Sequence, residues 1–405
     1  MFRSRSFDTG RPPVLVVQVG WRTGPPASRS LVEAGFPVVG GHEHARLIGR
    51  TRYCPTLVRY PPPGRDPDGF LDAIRLICER YGVRAVLPLD DDAVDVLARH
   101  GLPAGTTLVG PTASQLRALG DKWHLGETAE LAGLSVPRRA LVNRDGRQGD
   151  WPALPSLVKP RATSVATAHL ARRKPTIVGT AATRDRAVGH LLQEGVEVLV
   201  EEQIRGRAWR VHFVRAAAGV ALLTLRSERR FPLHTGQSSV QTVARGDATD
   251  QLAVRASRLL ELVDYRGPGS IQAFEQDGDL VVHDVNLRLP ITVAVTIRAG
   301  LDMPRLAVET ALGEPLRTPT RLVPATYVGL DEVRHLVASV RGRDGATPAR
   351  RIAADLWRGV VRRDFVLDPI DLLDPVPTML ALRQLGIDIR RDWGSGVAAR
   401  RSGAR

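Results

Sequence analysis

Cysteine is nearly missing from this chain: Cys54 and Cys78 are the two in 405 residues. That is too few for a disulfide framework or a thiolate zinc site. Lysine is scarce as well, with Lys122, Lys159 and Lys174 the three among 57 basic side chains. Aromatic residues make up 5% of the chain. The short basic clusters Arg172-Arg173-Lys174, Arg229-Arg230 and Arg400-Arg401 are scattered, without the aromatic interleaving on which bases stack. No run of about 18 apolar residues occurs, so no membrane-spanning helix is expected. Residues 1–13 are basic and polar, and no secretory signal is read there. These absences point to a reducing, cytoplasmic setting.

What is present is an ordinary globular composition, 43% apolar and 25% charged. The length suits two to three domains of about 100–200 residues. A formal net charge of +14 invites a nucleic-acid reading. The excess is written almost wholly as arginine in an Ala-, Gly- and Pro-rich chain, which reads as codon bias, so nucleic acid is not expected as the main partner. A position that keeps lysine therefore stands out.

Val14-Leu15-Val16-Val17 reads as a buried strand, and residues 28–34 as a helix. Phe70, Ile74, Ile77 and Cys78 follow the i, i+4, i+7, i+8 pattern of an amphipathic helix over 70–81. Strands are expected at 37–39, 84–89 and 108–111, the second running into Asp90-Asp91-Asp92. Alternating strands and helices predict a parallel, Rossmann-like sheet. No Gly-x-Gly-x-x-Gly follows the first strand, so no dinucleotide is assigned. Beyond 120 the texture becomes α+β. A helix is expected over 122–132 and another over 251–263. Strands are expected at 156–159, 197–201, 210–214, 220–224, 270–275 and 280–285, the last two joined by a turn at Asp277-Gly278. Residues 320–405 hold at least two helices, and 394–405 read as a disordered basic tail.

The chemistry concentrates in 272–288. Asp284, Asn286 and Arg288 stand at i, i+2 and i+4, on one face of a regular strand, and Gln272 lies on the partner strand. Carboxylate and amide oxygens on one face suit Mg²⁺, and the neighbouring guanidinium of Arg288 suits a phosphate oxygen. Alternation alone also gives a solvated hairpin face. Two of the three lysines tip the balance. Lys159 ends the apolar strand Leu157-Val158-Lys159-Pro160 and Lys122 opens a helix after Gly120-Asp121, junctions from which a compact ammonium reaches a polyphosphate. Lys174, in an arginine-rich stretch, reads as a surface cation.

The order of these motifs resembles the ATP-grasp superfamily, in its carboxylate–amine ligase and carbamoyl-phosphate-synthase-like branch, over about residues 14–315. Asp121-Lys122 followed by Gly133-Leu134-Ser135-Val136-Pro137 is similar to that family's entry helix. Leu157-Val158-Lys159-Pro160 is similar to its central ATP lysine. Val198 through Gly206 is similar to its adenine hinge, and His234-Thr235-Gly236-Gln237-Ser238 to a loop beside the phosphates. The resemblance implies a two-subdomain α+β cleft for ATP, with Lys122 and Lys159 on the α/β-phosphates. Glu201, Glu202 and Ile204 are implied at adenine. Gln272, Asp284 and Asn286 are implied to hold Mg²⁺, or Mn²⁺ in its place, with Arg288 and His234 facing the γ-phosphate or an acyl phosphate.

Several positions depart from the family pattern. Asp284 replaces the usual Glu, and Leu287 the Pro after Asn286. The loop Arg161-Ala162-Thr163-Ser164-Val165-Ala166-Thr167 has no glycine, so hydroxyls such as that of Ser164 are expected to serve the phosphates where amides otherwise would. Ala208 and Trp209 stand where an acid for the ribose is common.

The expected organisation is a tail (1–12), a Rossmann-like unit (13–118), the ATP-grasp domain (119–318), a mostly helical extension (319–393) and the basic tail (394–405). The expected activity joins a small carboxylate, activated as an acyl phosphate, to an amine. The competing readings are a degenerate nucleotide or partner binder without turnover, and a kinase of a non-carboxylate substrate. Expected partners are small carboxylates and amines, neither nucleic acid nor membrane, and a homodimer is compatible. Arg210, Arg226, Arg229 and Arg230 are candidates for binding an anionic substrate, although strand arginines also serve solvation.

Overall fold

The computed structural model describes residues 10–20, 22–43, 51–161, 175–231, 237–342, 347–371 and 373–402. The apolar run at 14–17 forms β1 (Val14–Val17), with all four side chains fully buried. Val14 and Val16 face one hydrophobic core, and Leu15 and Val17 another. That double burial is what a central parallel strand sandwiched between two layers requires. Around it stand α1 (Gly24–Glu33), β2 (Val38–His42), β3 (Thr56–Arg59), α2 (Pro67–Tyr81), β4 (Ala85–Pro88), α3 (Asp91–His100) and β5 (Thr107–Leu108). The strands pair in parallel in the order β3-β2-β1-β4-β5.

The local rules are visible in α2. Asp66 accepts a hydrogen bond from the Gly69 amide, Pro67 occupies the first turn, and Gly82 closes the helix at φ +62°. Its buried stripe is Phe70, Ile74, Ile77 and Cys78, the stripe that the spacing predicts.

A helical turn, α4 (Ala113–Gln115), passes into a π-helical turn (Leu116–Gly120) and then α5 (Lys122–Leu131). Asp121 caps α5, its carboxylate accepting from the Trp123 and His124 amides at 2.9 and 3.2 Å. An antiparallel sheet follows from β6 (Arg139–Asn143), β7 (Gly146–Gln148), β8 (Ser156–Pro160), β9 (Thr176–Val178) and β10 (Val198–Glu202), with α6 (Ala181–Gln193) preceding β10. Its order is β7-β6-β10-β8-β9.

The third sheet has seven strands in the order β15-β14-β11-β12-β13-β16-β17. They are β11 (Arg207–Ala216), β12 (Gly219–Phe231), β13 (Gln237–Val243), β14 (Gly267–Gln276), β15 (Asp279–Asn286), β16 (Thr326–Gly329) and β17 (Phe365–Asp368). The helices of this half are α7 (Asp247–Leu262), α8 (Val293–Arg298), α9 (Met303–Ala311), α10 (Asp331–Val340), α11 (Ala349–Val361) and α12 (Pro375–Ser402). The β14–β15 turn holds Asp277 and Gly278 at φ +53° and +86°, the left-handed pair of a tight hairpin.

One expectation about the C-terminal region needs correction. The stretch after 319 is mostly helical and also carries two strands: β16 pairs antiparallel with β13 and parallel with β17, extending the central sheet. Each has four residues, too short to show an alternating pattern against its surroundings. The stretch read as a disordered tail is helical through Ser402, because α12 continues past Gly394 and Gly396; its Ala398-Ala399-Arg400-Arg401 run consists of strong helix formers. Among the described residues no helix is long and apolar enough to cross a membrane.

One hydrophobic core joins β1, α1 and β4 to β12, α8, α9 and β16. The N-terminal sheet is thereby held against the seven-stranded sheet, and the ends of its strands are carried to the cleft described next.

Candidate functional site

Alternation gives β8 and β10 two faces. Val158, Val198 and Val200 pack with Val188 and Leu191 of α6, which leaves Leu157, Lys159, Leu199 and Glu201 on the opposite face. Leu199 pairs with Lys159 and Glu201 with Leu157, so Lys159 and Glu201 are diagonal neighbours. Their Nζ and Oε2 atoms are 2.5 Å apart, with 9% and 5% of the side chains exposed. Glu202 turns the other way, and its carboxylate accepts from the Arg138 amide at 3.1 Å. Ile204 lies in the half-buried segment between β10 and β11.

The β14–β15 hairpin is sorted by the same logic, with one irregularity. Ile271, Ala273, Val282, Val285 and Leu287 belong to a core beneath the sheet. Gln272 pairs with Asp284 and Ser270 with Asn286, whereas Ala273 pairs with Val282. His283 is therefore an inserted residue, a β-bulge. Between core-facing Val282 and Val285, both His283 and Asp284 turn to the cleft side. No sequence signal marks this bulge, and His283 is a site residue that the sequence reading misses.

Asp284 is the centre of the cluster. Its Oδ2 accepts from Gln272 Nε2 and Asn286 Nδ2, both at 2.7 Å. Burial opposes its charge, but Lys122, His283, Lys159 and the Asn286 hydrogen bond outweigh burial and hold the carboxyl below its ordinary range. Lys122 is drawn below the usual lysine value by burial and by Lys159, against the pull of Asp284, Glu201 and Asp91. Burial drives the His283 imidazole down to about 3, helped by Lys159, Arg230 and Arg210 against Asp284, so it is neutral at physiological pH.

Arg288 leaves β15 toward the N-terminal unit. Its Nε and Nη2 bond the two carboxylate oxygens of Asp91 at 2.8 and 2.9 Å, and Nη2 lies 3.5 Å from Asn286 Oδ1. Asp91 opens α3 just beyond β4, at the carboxyl end of a parallel strand, where open α/β sheets collect ligands. Beside it, Asp90 caps α3 through the Ala93 amide at 2.7 Å. Burial chiefly, then Asp91 and Asp92, raise the Asp90 carboxyl to about 7, against the Ala93 bond and Arg288.

The first residue of the glycine-free loop is anchored. Arg161 Nε bonds both Asp121 oxygens at 3.2 and 2.9 Å, Nη1 reaches Glu197 at 3.1 Å and Nη2 meets His124 Nε2 at 3.2 Å. These groups, with Arg117, Asp91, Asp284 and Asn286, line a cavity of 640 Å³ between the N-terminal unit and the hairpin. Ser164 and His234 lie outside the described residues.

Seven of the sequence-predicted residues thus come together: Lys122, Lys159, Glu201, Gln272, Asp284, Asn286 and Arg288. Glu202 does not share the face of Glu201, because neighbours on a strand point apart. For a metal, the row offers one carboxylate, Asp284, and the amide oxygens of Gln272 and Asn286, whose nitrogens hold Asp284 in place. Among the described residues no three His, Cys, Asp or Glu side chains gather into a protein-only cage. This donor set fits Mg²⁺ shared with substrate phosphates, which takes one or two carboxylates and leaves its remaining positions to phosphate and water.

No family model matches the chain. Among curated proteins it is 26% identical over 251 residues to the carbamoyl phosphate synthase large chain of Methanoculleus marisnigri, and 25% identical over 249 to that of Methanosphaerula palustris. Each match covers 57% of this chain and 23% of the relative, so the chain spans about a quarter of their length. Similar solved structures include an L-amino acid ligase from Bacillus licheniformis, with a TM-score of 0.63 and 15% identity, covering 78% of this chain and 80% of that one. An ADP complex of an N5-carboxyaminoimidazole ribonucleotide synthetase gives 0.62 and 16%, covering 82% and 86%. A biotin carboxylase from Campylobacter jejuni gives 0.60 and 15%, covering 78% and 74%. The chain has the ATP-grasp fold. Within that fold, the cluster brings Lys159 and Glu201 of the five-stranded antiparallel sheet to Asp284 of the seven-stranded one.

Proposed function

We propose that this protein is an ATP- and Mg²⁺-dependent ligase that activates a small carboxylate as an acyl phosphate and joins it to an amine. The observation that carries the reading is the convergence of Lys122 and Lys159, two of three lysines in the chain, on the charge of Asp284. Two ammonium groups kept beside an amide-braced carboxylate, inside a cleft, match the charge pattern of a nucleotide triphosphate and its metal. The named activities of the similar structures, an amino acid ligase and a carboxyaminoimidazole ribonucleotide synthetase among them, agree with this chemistry.

In this reading Lys122 and Lys159 offset the α- and β-phosphate charge. Lys159 exchanges its partner Glu201 for phosphate, or shares itself between them. Asp284, Gln272 and Asn286 would hold Mg²⁺, which supplies charge neutralisation at the phosphates when bound. A substrate carboxylate oxygen attacks the γ-phosphorus, the bond to the bridging oxygen breaks and ADP leaves. The amine then adds to the acyl carbon and expels phosphate, losing a proton. Arg288 faces the transferring group, with Asp91 holding its guanidinium in line. Ser164 and His234 keep their sequence-based roles as proposals.

The test is ATP consumption by the purified protein with Mg²⁺, screened against small carboxylates with an amine present. Carboxylate-dependent release of ADP and phosphate is expected. Nucleotide binding with no such release would replace the ligase with a binder. A phosphorylated non-carboxylate product would replace it with a kinase.

A further inference from the structure

Arg210, Arg226, Arg229 and Arg230 of β11 and β12 are the candidates for an anionic substrate, and the structure separates them: Arg226 pairs with core-facing Trp209 and so lies on the other face from Arg210. Arg226 pairs with Glu228 at 2.7 Å, with 43% of its side chain exposed. Arg229 is buried between Glu332 and Asp355, at 2.6 and 2.8 Å, and fastens the C-terminal helices to the sheet. Arg210 and Arg230 make no hydrogen bond or ion pair with any described residue. Arg230 has a buried Nε without an acceptor among the described residues, and its guanidinium lies over the Phe274 ring at 5.4 Å. Phe274 in turn meets His283 at 4.9 Å.

The register places the pair. Arg210 lies opposite Gln272, and Gln272 opposite Asp284. Adjacent strands are about 4.8 Å apart, so the Arg210 and Asp284 backbones, two strands apart, are separated by about 10 Å. The two guanidiniums feel each other: burial and then Arg230 bring Arg210 down to about 10, against the pull of Asp284 and Tyr327. Neighbouring half-buried cations with no carboxylate in hydrogen-bond contact among the described residues are costly to a fold, and Arg229 shows what a structural arginine looks like here. Each guanidinium presents a planar fork suited to an oxyanion.

Resting on the ligase reading, we infer that Arg210 and Arg230 bind a second anionic group of the substrate, so that the substrate class is a carboxylate bearing a further carboxylate or phosphate one short carbon chain away. The activated carboxylate then lies toward Asp284 and the second oxyanion over Phe274.

Calorimetry with Mg·ADP present, using butyrate, glutarate and 3-phosphonopropionate as probes, tests this. Glutarate or 3-phosphonopropionate should bind at least about tenfold more tightly than butyrate, and whichever is tighter tells carboxylate from phosphate. Arg210→Met with Arg230→Met should bring that probe to the level of butyrate while Mg·ADP affinity holds. Should the double variant fail to melt cooperatively, Arg230→Gln carries the same test on the less deeply buried member. Equal binding of the three probes to the wild type, an unchanged preference in the variant, or loss of Mg·ADP binding with the preference kept overturns the inference. If the wild type binds no Mg·ADP, the ligase reading fails. The probe comparison, run without nucleotide, then decides the arginine pair by itself.

Discussion

At the residue scale, the lysines carry the sharpest expectation. Lys122→Ala and Lys159→Ala should each weaken Mg·ATP binding at least about tenfold, because a charge-assisted phosphate contact contributes about 1.5–3 kcal/mol. Arg226→Ala, whose partner is the neighbouring Glu228, is the control and should leave binding unchanged by calorimetry. His212 gives a separate prediction. It is wholly buried, its Nδ1 has no partner among the described residues, and burial with Arg210 lowers its pKa to about 3. Between pH 6.5 and 3 the unfolded chain therefore binds a proton there that the folded chain refuses, so stability falls as the pH drops through that range. His212→Gln should flatten this part of the stability profile, read from urea midpoints at stepped pH. A variant as acid-sensitive as the wild type would refute it. The two cysteines are equally legible: burial raises Cys54 to about 12 and Cys78 to about 11, so neither thiol should react with iodoacetamide at pH 8 while the chain is folded.

At the element scale, the bulge in β15 decides what faces the cleft. Because Val282 and Val285 both point to the core, removing His283 leaves Asp284 in phase and returns the strand to plain alternation. Deletion of His283 should preserve a cooperative melt and Mg·ADP binding. Deletion of Asp284, which moves His283 into its place, should abolish both Mg²⁺-dependent turnover and tight Mg·ADP binding. Alternation made Asp284, Asn286, Arg288 and Gln272 legible as one face, and the scarcity of lysine singled out Lys122 and Lys159, which the structure brings beside Asp284. The inserted residue was not legible, since a bulge is a matter of pairing between strands and leaves no mark on either one. Asp91 was hidden for a related reason: its place at the cleft depends on how the N-terminal sheet docks. Arg210, Arg229 and Arg230 were visible as a group, but which of them is paired depends on Glu332 and Asp355, more than a hundred residues away. The strands β16 and β17 were too short to announce themselves.

At the scale of the whole molecule, the Arg229 cluster binds the C-terminal helices to the sheet. Glu332 is fully buried, and Arg229→Met would remove its arginine and leave it only the His335 ring at 3.4 Å, a break in a buried ion pair that costs about 3–5 kcal/mol. The urea midpoint should fall accordingly while nucleotide affinity at low urea is retained; an unmoved midpoint would show that the cluster contributes nothing. The shared core makes the N-terminal sheet part of the same cooperative unit, so wild type and variant should each unfold in one transition. The order in which the central sheet is built has a consequence in time. Strand β13 is complete by residue 243, yet the strand that covers its outer edge starts at Thr326 and the sheet ends only with Asp368. During synthesis the growing chain must carry an unsealed edge through more than eighty residues of translation, and for that interval it is open to pairing with a neighbouring nascent chain.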